Sequence, residues 1–168
     1  VLRHNDTTKI SFREKKKIPL PINDMHWASS FDVDIGGNHI YWTHNRNRII
    51  YRSLINGSKS EAIVQTGLGS PVNLAIDWIS ENLYWVDVEF RRIEVAKSNG
   101  FFRRILFYDR SRQPNSLVVD PIDSHLFWSD WSNNGRIVSS FLDGNKRKNI
   151  IDSVGKAIGL TIDFYAKR

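Results

Sequence analysis

A 43-residue period governs this chain. Asp34, Asp77, Asp120 and Asp163 recur at that spacing, and so do Trp42, Trp85 and Trp128. Each Trp follows another aromatic residue, in Tyr41-Trp42, Tyr84-Trp85 and Phe127-Trp128. A fixed period of roughly 20–50 residues marks one supersecondary unit stacked against copies of itself. The period also decides which residues share a face of the molecule, so it comes before any motif.

The middle copy, residues 74–116, shows what the unit is. Leu74-Ala75-Ile76-Asp77-Trp78 is a short apolar run closed by the turn residues Ser80-Glu81-Asn82. Leu83-Tyr84-Trp85-Val86-Asp87 is a second run, Arg92 to Lys97 alternates as a half-buried strand does, and Arg103 to Tyr108 makes a fourth strand. Asn99-Gly100 between the last two reads as a tight type I′ hairpin with both residues at positive φ. Four short strands joined by turns, with no helical period, describe one antiparallel sheet. Its second strand is apolar at four successive positions although neighbouring side chains point to opposite faces, so both faces must be covered. Copies pressed face to face achieve this, and ~40–45 residues per four-stranded unit is the size of a propeller blade. The chain is therefore expected to be all-β and a partial β-propeller. Residues 31–73, 74–116 and 117–159 form three blades, 160–168 begin a truncated next blade, and 1–30 hold a degraded partial blade and a linking loop. In that degraded blade Lys9 to Arg13 reads as strand three and Ile18 to Leu20 as strand four.

Tyr41-Trp42-Thr43-His44, Tyr84-Trp85-Val86-Asp87 and Phe127-Trp128-Ser129-Asp130 resemble the Tyr-Trp-Thr-Asp repeats of the LDL-receptor class B family. The likeness runs from about residue 28 to residue 168. It implies a six-bladed YWTD-type propeller, flanked by EGF-like modules, on the extracellular side of the plasma membrane. Around Asn23 to Asp34 the chain is most similar to the larger LDL-receptor-related proteins. The implied role is non-enzymatic: binding protein ligands for endocytosis or signalling. A nidogen-like basement-membrane propeller binding a matrix protein is the alternative. A calcium-dependent propeller hydrolase is the remote one, because the innermost strands begin with Ser30, Asn73, Ser116 and Gly159 and supply no carboxylate there. No catalytic residue, cofactor or metal site is expected.

A ring of six such units needs about 258 residues, so a 168-residue chain is read as a fragment. On this reading it exposes an unpaired blade face, aggregates readily and lacks a sharp cooperative melt. No run of 18 apolar residues is present, and a membrane enters only through missing parts of the chain. With no Cys, the fold needs neither disulfide nor zinc. The net charge of +6 raises the question of nucleic acid. The basic groups, Arg13 to Lys17, Arg103-Arg104 and Lys146 to Lys148, sit in or beside turns between strands three and four, with few exposed stacking aromatics. They read as a solvated basic face, or as attraction to sulfated glycans or acidic neighbouring modules, and not as a nucleic-acid site. Asn5-Asp6-Thr7 and Asn56-Gly57-Ser58 fit the N-glycosylation pattern, Asn56 at an exposed hairpin tip.

Strand order sorts the loops to two ends. One end, the top, carries the loops before strand one and those after strand two. Its ligand-facing candidates are His26, Trp27, His44, Arg46, Ser70, Glu89, Phe90, Arg91, Asn115 and Trp131. Aromatics beside Arg make the commonest binding hot spots. For Trp27, Phe90 and Trp131 a second reading stands, in which they cover blade seams or plug the central funnel. The resemblance implies that this end is the ligand face. In the Wnt co-receptor branch it carries a polar, acidic patch that Ser70 and Glu89 match. Asn115 and Ile158 depart from that branch, which has Arg and Asn there. The motif residues Asp87 and Asp130 are expected to be structural, tying neighbouring blades. His44 replaces that Asp in the first copy, and with His26 it offers an acid-sensitive switch, since His titrates near pH 6.5. The Asp34 series precedes turns, where Asp bonds its own backbone.

Overall fold

A computed structural model of the chain describes residue 22 and residues 25–164. The partial blade, the basic group Arg13 to Lys17 and Asn5 lie outside the described residues, as does the end of the last repeat. A short 3-10 turn, Met25–Trp27, leads into twelve strands. They are β1 (Ala28–Asp34), β2 (His39–His44), β3 (Ile49–Leu54) and β4 (Glu61–Val64), then β5 (Pro71–Asp77), β6 (Asn82–Asp87), β7 (Arg92–Lys97) and β8 (Arg104–Tyr108), and last β9 (Pro114–Asp120), β10 (His125–Asp130), β11 (Arg136–Phe141) and β12 (Lys148–Asp152). Each set of four forms its own antiparallel sheet in sequence order. The first strands β1, β5 and β9 lie side by side, so the sheets splay outward from a shared inner row. This is a run of three propeller blades.

The first strands begin three residues before the repeat windows 31–73, 74–116 and 117–159, at Ala28, Pro71 and Pro114. Each crosses a bulge there, after which pairing resumes with the end of strand two. Residues 153–162 form no strand, so the expected strand at 160–168 does not appear among the described residues. A strand needs a ladder partner, and no described strand pairs with this segment; Leu160 and Ile162 instead line a cavity with residues of blade 3.

Burial follows from the apolar second strand. Trp42, Trp85 and Trp128 occupy equivalent places in β2, β6 and β10 and are at most 1% exposed. Covering such a ring removes about 150–250 Å² from water, about 4–6 kcal/mol at ~25 cal/mol per Å². One core fills the seam between blades 1 and 2, with Tyr41, Ile50 and Val64 facing Leu74, Leu83 and Trp85. The other fills the seam between blades 2 and 3, with Tyr84, Val86 and Ile93 facing Leu117, Leu126 and Trp128. Polar stitches join the inner row: Ser30 Oγ accepts from Leu74 N at 3.3 Å, and Asn73 Oδ1 accepts from Leu117 N at 2.8 Å. Asp32 Oδ2 accepts from Ile76 N at 2.9 Å. Burial pushes the Asp32 carboxyl up, more than the N–H groups of Ile76 and Val33 pull it down.

The hairpins between strands three and four are not type I′. Gly100 N donates to Lys97 O and Lys97 N to Phe101 O, so the loop has three residues and only Gly100 among them takes positive φ. The same bonds recur at Leu54–Ser58 and Phe141–Asn145. The reason is local. Asn99 and Asn56 use Oδ1 to accept the N–H two residues on, which holds them right-handed and leaves Gly to turn the chain. A Cβ on Gly100 would sit 2.0 Å from Ile63 O of the preceding blade, so this position also sets blade spacing.

Candidate functional site

The top end gathers five of the ten ligand-facing candidates. His26, Trp27, Arg46, Ser70 and Glu89 line one open groove of about 720 Å³, with Asn45, Arg48 and Gly69. It straddles the junction of blades 1 and 2. Trp27 leaves the 3-10 turn 57% exposed, and the Arg46 guanidinium lies 5.4 Å over its ring. Arg48, on the β2–β3 loop, reaches Glu89 of the β6–β7 loop at 3.5 Å, and Ser70 Oγ donates to Asn45 Oδ1 at 3.0 Å. The Arg48–Glu89 pair is half exposed, so it is worth at most about 1 kcal/mol and can open to admit a partner.

The floor is fixed by the motif aspartate. Asp87, buried at the end of β6, accepts from Gly69 N at 2.7 Å and from Ser70 N at 3.0 Å, both in the linker from blade 1. It also accepts from Phe90 N at 3.1 Å, so one carboxylate shapes both walls. Gly69 is required by space: an added Cβ would lie 2.7 Å from Glu89 Cβ. Asp130 repeats the arrangement in blade 3, accepting from Gln113 N, from Ser132 N and from the Ser132 hydroxyl. Burial alone raises its carboxyl, but those donors and the Arg136 guanidinium outweigh that and hold it below the usual carboxylate value.

The remaining candidates lie elsewhere. His44 is not ligand-facing. Its side chain is buried under the β2–β3 loop, packs edge-on against Tyr51, and accepts from Asn47 N through Nδ1 at 3.1 Å. It thus braces its own loop where Asp87 and Asp130 tie a linker. Trp131 is half-buried and donates from Nε1 to Ala157 O at 2.7 Å, with Lys156 over its ring, so it anchors the segment after β12. Phe90 and Arg91 turn to the outer side of blade 2, into a separate recess with Ile105 and Tyr108. Asn115 is half-buried in β9 and does not reach the groove. Arg48 is a charged groove residue that the repeat did not single out. Its mark is a backbone φ of 58°, shared by its counterpart Arg91 at 53°, which residue type does not disclose. Among the described residues no group of three or more His, Asp or Glu could hold a metal ion.

The repeat described as low-density lipoprotein receptor repeat class B matches residues 81–121. Low-density lipoprotein receptor-related protein 5 of Homo sapiens is 40% identical over 151 residues, covering 90% of this chain and 9% of that protein. The chain carries the low-density lipoprotein receptor class B repeat, at residues 81–121. Vitellogenin receptor Yl of Drosophila melanogaster is 33% identical over 139 residues, 81% of this class B chain and 7% of that protein. A chain of a solved nidogen/laminin complex superposes with a TM-score of 0.72 at 32% identity, covering 76% of this chain and 49% of that one. The chain thus spans less than a tenth of the length of the receptors it matches. It is a propeller segment that carries the class B repeat.

Proposed function

We propose that this segment binds a protein ligand in the groove between blades 1 and 2, within the ectodomain of an LDL-receptor-related receptor serving endocytosis or signalling. The observation that carries the reading is Trp27, largely exposed and held under Arg46 at a junction walled by Ser70 and Glu89. An aromatic anchor beside Arg, on loops fixed by buried hydrogen bonds, loses little freedom when it binds. The neighbouring modules on this reading are EGF-like, and Asn56, exposed at its hairpin tip, carries an N-glycan. Sulfated glycans or acidic modules meet the basic turns at the other end. The test is a displayed peptide library selected on the chain. Selected peptides should lose tenfold or more in affinity with Trp27→Ala or Glu89→Ala, while the far-ultraviolet circular dichroism of the chain stays unchanged. Peptides indifferent to Trp27, Arg46 and Glu89 alike would reject the reading. The likeness to the nidogen/laminin complex favours a second one, a matrix propeller, and laminin binding to the chain would establish it.

A further inference from the structure

The residue opposite the motif tryptophan differs in every blade. Tyr51 faces Trp42, Glu94 faces Trp85 and Val138 faces Trp128. In blade 1 Tyr51 stacks on Trp42, ring centroids 5.3 Å apart. In blade 2 the seam is closed by ions. Buried Glu94 accepts from Arg92 Nε at 3.0 Å and from Arg103 Nε and Nη2 at 2.8 and 2.9 Å. The Arg103 guanidinium lies 5.3 Å over Trp85 and also donates to Thr66 O and Gly67 O of the linker from blade 1.

Blade 3 keeps both arginines and lacks the carboxylate. Allowing for its one inserted residue, Arg136 and Arg147 stand where Arg92 and Arg103 do, and Val138 stands for Glu94. Arg136 has turned to Asp130, donating from Nε at 2.9 Å and Nη2 at 2.6 Å. Arg147 lies 5.2 Å over Phe107 of blade 2. What opens is a cavity of about 420 Å³ between blades 2 and 3, with Phe107, Trp128 and Val138 as apolar wall and Arg112, Arg147 and Lys148 among its cations. Asp109 and Asp130 also line it, but Arg112 lies 3.6 Å from Asp109 and Arg136 holds Asp130. Among the described residues neither Arg147 nor Lys148 has a carboxylate within ion-pair distance.

We propose that this seam binds an external carboxylate, the glutamate side chain of a protein ligand, seated over Val138 where blade 2 carries its own Glu94. The molecule supplies the precedent, because the arrangement of Trp, two Arg and one carboxylate is already built one blade away. Ionised hydrogen bonds in such a half-dry recess are stronger than on an open surface. A sulfated glycan strings its charges along a chain and pairs with an open row of cations. Here the cations converge on one aromatic-walled recess of about 420 Å³ and do not form a row.

The test is an NMR titration of the 168-residue chain with blocked glutamate, Nα-acetyl-glutamate-N-methylamide. A saturable shift is expected at the Trp128 indole and Arg147 side-chain signals, with Trp85 unmoved. Affinity should fall tenfold or more in Arg147→Ala, and likewise in Val138→Glu, where the protein supplies its own carboxylate. Arg147 lies on an exposed turn, so its variant reports binding even if Val138→Glu unfolds the chain. The proposal is overturned by no saturable shift, by an equal shift with blocked glutamine, or by affinity unchanged in Arg147→Ala. It is overturned in favour of a glycan if a heparin-derived hexasaccharide saturates the same signals at lower concentration than glutamate and loses affinity in that variant.

Discussion

Glu94 is 2% exposed and lies opposite the indole of Trp85, where a carboxylate survives only through Arg92 and Arg103. Desolvating such charges costs several kcal/mol per ion, and mutual attraction with good geometry offsets that cost. The arginines are partly exposed, so they lose less by being left alone than Glu94 does. Removing Arg103 therefore strands the buried anion and also releases the carbonyls of Thr66 and Gly67. Arg103→Ala should cost about 3–5 kcal/mol in a urea titration, whereas the paired change Arg103→Met with Glu94→Leu should cost less than half of that. Equal losses in the single and paired variants would show that packing against Trp85, and not charge, closes this seam. Asp87 and Asp130 make the same point without an exposed partner at Asp87: three backbone N–H groups meet one carboxylate, and the linker between blades is held as a result.

At the scale of elements, the repeat extends to backbone conformations that residue types conceal. Asn38, Glu81 and Ser124 share positive φ near 55° in the turn after strand one, and Lys59, Phe102 and Lys146 do so after the three–four hairpin. An L residue there costs roughly 1–2 kcal/mol, and Gly removes that cost while adding roughly 0.5–1 kcal/mol of unfolded-state entropy. Phe102 is 86% exposed, so Phe102→Gly gives up little burial. The substitution should stabilise the chain by about 0.5 kcal/mol, read as a raised urea midpoint at unchanged slope. A lowered midpoint would mean that the Phe102 ring holds the hairpin. The strands, the equivalence of the three tryptophans and the layered architecture were legible because burial on both faces leaves a periodic mark. Hairpin type was misread because Asn-Gly suits either of two loops, and the side-chain bond from Asn99 to Phe101 N selects the longer one. The contents of the seams were not legible either. Tyr51, Glu94 and Val138 become equivalent only once the register sets them across from Trp, and an inserted residue hides the last from a count of 43. The groove was half legible: its loops follow from strand order, while the inward turn of His44 depends on a bond to Asn47 that spacing does not reveal.

For the molecule as a whole, cohesion rests on whether the blades unfold together. The apolar seams are extensive but non-directional, and sheets could slide on them were the inner row not pinned. Asn73 is the pin that touches all three blades. From β5 it donates through Nδ2 to Ser30 Oγ of β1 at 3.2 Å, and through Oδ1 it accepts from Leu117 N of β9 at 2.8 Å. Among the described residues Asn73 is the inner-row side chain that bonds a blade on either side. Asn73→Ala leaves the Leu117 N–H without its acceptor, a loss of about 1–3 kcal/mol. Asn73→Asp keeps the acceptor and loses the donor to Ser30. In hydrogen exchange the Ala variant should lower protection at Leu117 first and then across β9 to β11, uncoupling blade 3 from blades 1 and 2. The Asp variant should retain protection at Leu117 while lowering it at Leu74, whose N–H bonds the Ser30 hydroxyl that Asn73 holds in place. If both variants lower protection evenly over all three sheets, the inner row is not what couples them, and the seam cores alone hold the blades together.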